Sequence, residues 1–314
     1  MNLSTCKGHV AMFCANAIWG LMSPVAKSVI ASGAATSLVV TDLRFFGAMV
    51  LFWVTSFFQK PEHVSHKDMG KIFLASLLAI VFNQGCFMFG VSLTLPVDAS
   101  IITTSMPLLA MALAALYLKE PITGKKVLGI AAGATGALVL ILGSHPENTA
   151  GTAGTGGIWG DLFVLLAQLS YACYFVLFKN FVGRYSMVTL MKWMFTFAFI
   201  TALPFSYTSL RATEWSAFDT ATWLSVAFIV VAATFLSYSL IVVGQKNLRP
   251  TVGGMYNYVQ PVVACVVAIH LGLDQFNLTK VVSVALIAGG VYLVTISRSR
   301  AQLEAYEAHR RMKN

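Results

Sequence analysis

Tyr256, Asn257, Tyr258 and Gln260 put four polar side chains within five positions of an otherwise apolar stretch. An amide or phenol placed there loses water, and leaving it without a partner costs about 2–7 kcal/mol. The set holds neutral donors, acceptors and rings, with no acid–base pair and no nucleophile beside a base. That chemistry suits holding a small molecule rather than cleaving a bond. Comparable groups recur inside other apolar runs: Asn16, Asn83 beside Gln84, Thr103 beside Thr104, Gln168 and Tyr238. Trp19 and Tyr171 each follow an amide by three residues, so a ring stands beside each amide. Amides between aromatic faces fit a small zwitterion or a planar ring, and an ammonium group could lie against a ring face.

The spacing of these residues predicts the elements that carry them. Asn16, Gly20, Ser23 and Lys27 are 4, 3 and 4 apart, one face of a helix. Shifting by 152 residues aligns them with Gln168, Ala172, Phe175 and Lys179. Shifting by 154 aligns Pro96 with Pro250, Pro107 with Pro261, Glu120 with Asp274 and Lys126 with Lys280. The same shift pairs Asn83 with Ser237, Gln84 with Tyr238, Thr103 with Asn257 and Thr104 with Tyr258. The chain is read as a duplication. Thr103 and Thr104 have a structural alternative, bonding back to their own helix carbonyls. For Asn16 and Gln168 two readings stay open, lining a wet cavity or hydrogen bonding between helices. Asn257 is favoured as a substrate contact.

Composition sets the solvent. Of 314 residues, 57% are apolar and only 11% charged, and mean hydropathy is +0.76. Soluble domains carry roughly 25% charged residues. The expected fold class is all-α integral membrane, with ten transmembrane helices. The limits are 8–30, 37–57, 71–93, 98–118, 126–143, 158–178, 188–208, 221–243, 251–271 and 279–297. Pro107 and Pro261 lie mid-helix in this reading and should kink the fourth and ninth spans. With the N-terminus inside, sixteen of the 21 Lys and Arg fall in cytoplasmic segments. Two (Arg211, Lys280) fall outside, and three (Lys27, Arg44, Lys192) lie within helices. That asymmetry places both termini in the cytoplasm and assigns the +9 net charge to topology, not to nucleic acid.

Five spans per half means that the second half enters the bilayer with opposite polarity. The expected organisation is residues 1–143 as the first five-helix repeat and 144–157 as an external linker. Residues 158–297 form the second repeat, and 298–314 a cytoplasmic tail. The five cysteines form no CxxC and the histidines no cluster, so neither a disulfide framework, a metal site nor a bound cofactor is expected. Asp42 and Arg44 are placed near the outer end of the second helix and Lys192 near the inner end of the seventh, at depths where side chains snorkel or pair. No acid stands at the midplane, which leaves facilitated diffusion, exchange and proton antiport open.

Trp19-Gly20 followed by Lys27, the Pro96 to Pro107 stretch, and Leu118-Lys119-Glu120-Pro121 together resemble an EamA repeat. The chain from about residue 8 to 297 is similar to the ten-helix members of the drug/metabolite transporter superfamily. In the second half Tyr171-Ala172 replaces Trp-Gly and Leu273-Asp274-Gln275 replaces Lys-Glu-Pro. The resemblance implies two inverted five-helix repeats around a central pathway lined chiefly by the first four helices of each. It also implies carriage of amino acids, sugars, nucleotide-linked metabolites or drugs, often outward.

The expected function is therefore a secondary transporter of the plasma (inner) membrane that exports amino acids or similar small metabolites by alternating access. It is not expected to be an enzyme. Its expected partners are a small-molecule substrate and the lipid bilayer, with oligomeric state left open. Candidate substrate-binding residues are Asn16, Trp19, Asn83, Thr103, Gln168, Tyr171, Tyr238, Asn257 and Gln260. The alternative is an integral-membrane lipid-modifying enzyme. It would need a nucleophile–base pair or metal ligands at membrane depth, and the six scattered histidines do not supply one.

Overall fold

The computed structural model describes residues 3–117, 124–143, 155–178, 181, 184–247, 256–273 and 277–295. Every regular element among them is helical. The first two helices are α1 (Leu3–Ala31) and α2 (Ser37–Phe57). Next, α3 (His66–Leu93) is continuous but contains a π-helical stretch, Leu77–Phe82. Helices α4 (Pro96–Thr103), α5 (Met106–Tyr117) and α6 (Gly124–Gly143) complete the first half. The second half opens with α7 (Thr155–Leu177) and α8 (Met187–Ala212). Its α9 runs through Thr220–Ala227, a π stretch Phe228–Leu236, and Ser237–Asn247. Finally come α10 (Val259–His270) and α11 (Leu278–Thr295).

Local chemistry sets several of these boundaries. Thr36, Ser65, Ser186 and Asp219 each accept a hydrogen bond from the amide three residues on, so α2, α3, α8 and α9 begin at a side-chain cap. Among the described residues, seven helical stretches are long and apolar enough to cross a membrane, and three shorter apolar helices accompany them: Val127–Leu140, Val259–His270 and Leu278–Leu293. Large apolar side chains such as Phe57, Phe205, Leu224, Val262 and Leu278 are exposed on the outer surface. A surface of that kind is matched by lipid tails rather than water.

The prolines act differently from the expected kinks. The fourth span is broken rather than bent: α4 stops at Thr103, Thr104 and Ser105 form a turn, and Pro107 is the second residue of α5. There its missing amide costs nothing, since the first helical amides have no partner in the helix. Thr103, Thr104 and Ser105 donate their hydroxyls to the carbonyls of Ser100, Ile101 and Ile102 at 2.7, 2.6 and 2.7 Å. The Ile101 and Ile102 carbonyls also accept the amides of Thr104 and Ser105, so the hydroxyls reinforce a tightened last turn with i to i+3 bonds. In the second half, a 3₁₀ turn, Tyr256–Tyr258, precedes α10, and Pro261 is its third residue.

Packing repeats between the halves. The most extensive helix pairings are α6 with α11, α2 with α8, α3 with α7, α1 with α9, and α1 with α10, followed by α5 with α7. Exchanging each helix for its counterpart in the other half returns the same set. The pairs α6·α11 and α2·α8 map onto themselves, α3·α7 maps onto α9·α1, and α1·α10 onto α7·α5. The two π stretches occupy corresponding positions in α3 and α9.

Candidate functional site

The polar centre is organised by the π stretches. A π turn sets an extra residue into the helix and takes carbonyls out of the usual ladder, leaving them for other donors. In α9, Thr234 and Ser237 hydroxyls donate to the carbonyls of Ile229 and Ala232, five residues back, at 2.9 Å each. The carbonyl of Ala233 accepts from Trp19 Nε1 of α1 at 3.0 Å. In α3, the carbonyl of Leu78 accepts from Ser170 Oγ of α7 at 2.7 Å. Each half thus sends a side chain into the π stretch of the other. Immediately after the stretches stand Asn83-Gln84 and Ser237-Tyr238. Gln84 Nε2 donates to Tyr238 Oη at 3.1 Å, so two residues 154 apart, counterparts in the duplication, touch each other. Counterparts meet where a two-fold relation between the halves has its axis. The Tyr238 ring is edge-on to Trp19 at 5.9 Å and to Phe195 at 6.3 Å.

A second cluster lies where α1 crosses α4 and α10. Gln260 Nε2 donates to Asn16 Oδ1 at 2.8 Å, and Asn16 Nδ2 donates to the Met12 carbonyl at 2.8 Å. Thr103 Oγ1 stands 3.4 Å from Gln260 Oε1. Asn16, Gln260 and Thr103 are brought together, and the contact that holds Asn16 is an interhelical hydrogen bond. Gly20 explains the closeness: a Cβ there would lie 2.6 Å from the Gln260 carbonyl oxygen. Asn83 Nδ2 donates to the Ala167 carbonyl at 2.8 Å and ties α3 to α7. Gln168 is buried on α7, and no hydrogen bond joins it to Asn16, its counterpart. Tyr171 stacks toward Tyr174 with ring centres 5.7 Å apart. Asn257 is half-buried in the turn before α10. Trp19, Tyr238 and Asn83 therefore belong to one cluster, Asn16, Thr103 and Gln260 to another.

The charges depart from expectation. Arg44 and Asp42 do not snorkel: they are 4% and 2% exposed. Arg44 lies eight residues past the Thr36 cap, about 12 Å along the helix axis. Its Nε donates to Thr234 Oγ1 on α9 at 2.6 Å. Lys280, expected in an outer loop, is buried in the first turn of α11 and stands 3.4 Å from Asp98 Oδ1 of α4. At the same end of the bundle Lys27 donates to the Ser92 carbonyl at 2.8 Å, Ser23 to the Pro96 carbonyl at 3.0 Å, and Thr94 to Asp161. Gly90 and Gly160 meet there backbone to backbone, a Cβ on Gly90 falling 2.7 Å from the Gly160 oxygen. Their counterparts at the other end, Gly244 and Gly8, differ, since a Cβ on Gly244 would meet the flexible Met12 side chain. Of the two outcomes expected for Arg44, snorkelling and pairing, the buried hydrogen bond to Thr234 is pairing.

Known proteins bear on this arrangement. The pattern of the EamA-like transporter family matches twice, over residues 6–142 and 158–296. The uncharacterized transporter YetK of Bacillus subtilis (strain 168) is 23% identical over 85% of this chain and 80% of its own length. WAT1-related protein At2g40900 of Arabidopsis thaliana is 23% identical over 92% of this chain and 78% of its own. A solved crystal structure superposes with a TM-score of 0.61 at 17% identity, over 93% of this chain and 97% of that one, which is a likeness of fold. Two family matches that together span most of the residues, on a bundle of apolar helices, establish a multi-pass membrane protein. The chain belongs to the EamA-like transporter family, within the drug/metabolite transporter superfamily.

Proposed function

We propose that this protein is a secondary transporter that carries amino acids or similar small metabolites out across the plasma membrane by alternating access. In this reading residues 1–143 and 158–297 are two inverted repeats of five spans each, joined by the linker 144–157 and followed by the tail 298–314. The three short apolar helices complete the ten crossings, and the end bearing Lys27, Asp98 and Lys280 faces outward.

The observation that carries the reading is the unequal closure of corresponding helix pairs. At the Lys27 end, α3 and α7 meet through Gly90 and Gly160 with a buried polar layer around them. At the other end, α9 and α1 meet at Gly244 through a movable methionine side chain. Two halves built alike but closed unlike can exchange those conformations, and the exchange turns a central site from one side to the other. The polar residues between the ends, Trp19, Asn83, Tyr171, Gln168, Tyr238 and Asn257, would face the substrate in that exchange.

Inside-out vesicles containing the protein should take up at least one labelled amino acid, and Asn257→Ala should lower the uptake. A broad metabolite panel with no protein-dependent flux in either direction refutes the reading.

A further inference from the structure

We propose that Arg44 is the carboxylate receptor of the transport site and that Gln84 receives the donor group of the same molecule, so that the cargo is a small acid bearing an amine. The inference rests on the transporter reading and narrows its substrate class.

Arg44 carries a permanent charge at 4% exposure, well below the membrane surface as judged from its place in α2. A lone cation at such depth is unfavourable unless an anion or a set of acceptors meets it. Among the described residues no carboxylate lies within ion-pairing distance of it. Asp42, two residues earlier, points from a different face of the helix. The one acceptor that the protein supplies is Thr234 Oγ1, on Nε at 2.6 Å. Its two Nη groups form the planar fork that matches a carboxylate.

Gln84 presents the complementary need. It is 2% exposed, its Nε2 is engaged by Tyr238, and its Oε1 has no hydrogen-bond partner. A buried amide oxygen calls for a donor, and an ammonium group is the strongest one a metabolite offers. Thr234 and Tyr238, which hold Arg44 and Gln84, are four residues apart on α9, a rise of about 6 Å. α2 packs against both the second part of α3 and the π stretch of α9, and Arg44 lies near enough to Tyr238, the partner of Gln84, to interact with it electrostatically. Tyr238, edge-on to Trp19 at 5.9 Å, stands beside them. A single guanidinium suits a monoanion. A phosphate dianion would call for a second cation.

The test uses the full-length protein purified in detergent, with thermal unfolding as readout. The probes are the twenty L-amino acids, their primary carboxamides, the corresponding amines without a carboxyl group, the corresponding deaminated acids, and inorganic phosphate. One or more free amino acids should raise the midpoint, while the matching carboxamides and amines should not. Arg44→Gln should weaken the effective acids about tenfold to a hundredfold, the range for a hydrogen bond to a charged group. Arg44→Lys should retain part of the effect. Gln84→Leu should remove the advantage of an amino acid over its deaminated acid. Equal stabilisation by acid and carboxamide overturns the inference, as does stabilisation by phosphate alone or by none of the probes. Should Arg44→Gln fail to fold, the acid–carboxamide comparison on the unaltered protein decides. Flux without carboxylate dependence would sink this inference and leave the transporter standing; carboxylate binding without flux would do the reverse.

Discussion

Replacing Asn16 with Leu tests whether the amide cluster between α1 and α10 is structural. Leucine has the branching and the number of side-chain heavy atoms of asparagine, though its methyl groups are bulkier, so no cavity opens and any overpacking is common to the single and double variants. The Met12 carbonyl stands one turn back on the same helix, so losing the Asn16 Nδ2 bond to it costs little. Gln260 Nε2, donating at 2.8 Å in a buried position, loses its acceptor. Leaving a buried donor unmet costs about 1–3 kcal/mol. Gln260→Leu strips the Asn16 oxygen of its donor and should cost a similar amount. The double variant leaves neither atom stranded, so its loss should fall short of the summed singles by about 1–2 kcal/mol, near the upper end of coupling energies in membrane bundles. Reversible unfolding of the three variants in mixed detergent micelles measures this cycle. A double variant equal to the sum of the singles within about 0.5 kcal/mol would refute the reasoning, because the hydrogen bond would then carry no coupling.

Other expectations follow from the same geometry. Gly90→Ala drives a methyl group into the Gly160 backbone and should destabilise by about 1–3 kcal/mol; Gly85→Ala, on the same helix with open space around it, should be neutral or slightly stabilising, and equal losses would contradict the close approach. The Asp219 carboxyl caps α9 and is held below the usual carboxylate range by the backbone N–H of Thr222. Its contribution is complete above the ordinary carboxylate pKa and fades as pH falls through the folded value. Hydrogen exchange near Thr222 should therefore quicken in acid, after correction for intrinsic rates, and Asp219→Asn should flatten that dependence. Cys6 is exposed near the start of α1. In a variant keeping it as the sole cysteine, an impermeant maleimide should label inside-out vesicles and spare intact cells; labelling of intact cells would reverse the proposed orientation.

The duplication was legible because prolines and acidic ends survive at one fixed offset. Which counterparts touch was not. Equal offsets relate places in two halves, and only residues near the axis between the halves meet their own counterparts. Gln84 and Tyr238 do so, whereas Asn16 pairs with Gln260 and not with Gln168. Pro107 announced a disturbance, but a kink and a break read alike in sequence. The turn at Thr104 and Ser105 makes it a break, closed by the hydroxyls of Thr103, Thr104 and Ser105 bonding to carbonyls three residues back. The π stretches left little compositional trace, since Leu77–Phe82 is uniformly apolar and Phe228–Leu236 is apolar but for Thr234.

Those π stretches set the aim of everything that follows them on their helices. One residue of an α-helix turns the chain through about 100°. Deleting a single residue from Leu77–Phe82 would restore ordinary winding and swing Gln84 away from Tyr238, while leaving every side chain in the helix chemically intact. Shortening both stretches would turn both partners off the axis together. With Gln84 and Tyr238 facing cargo as proposed, preference would be reset by length as readily as by side-chain identity, through a change that no comparison of residue types at fixed positions would register.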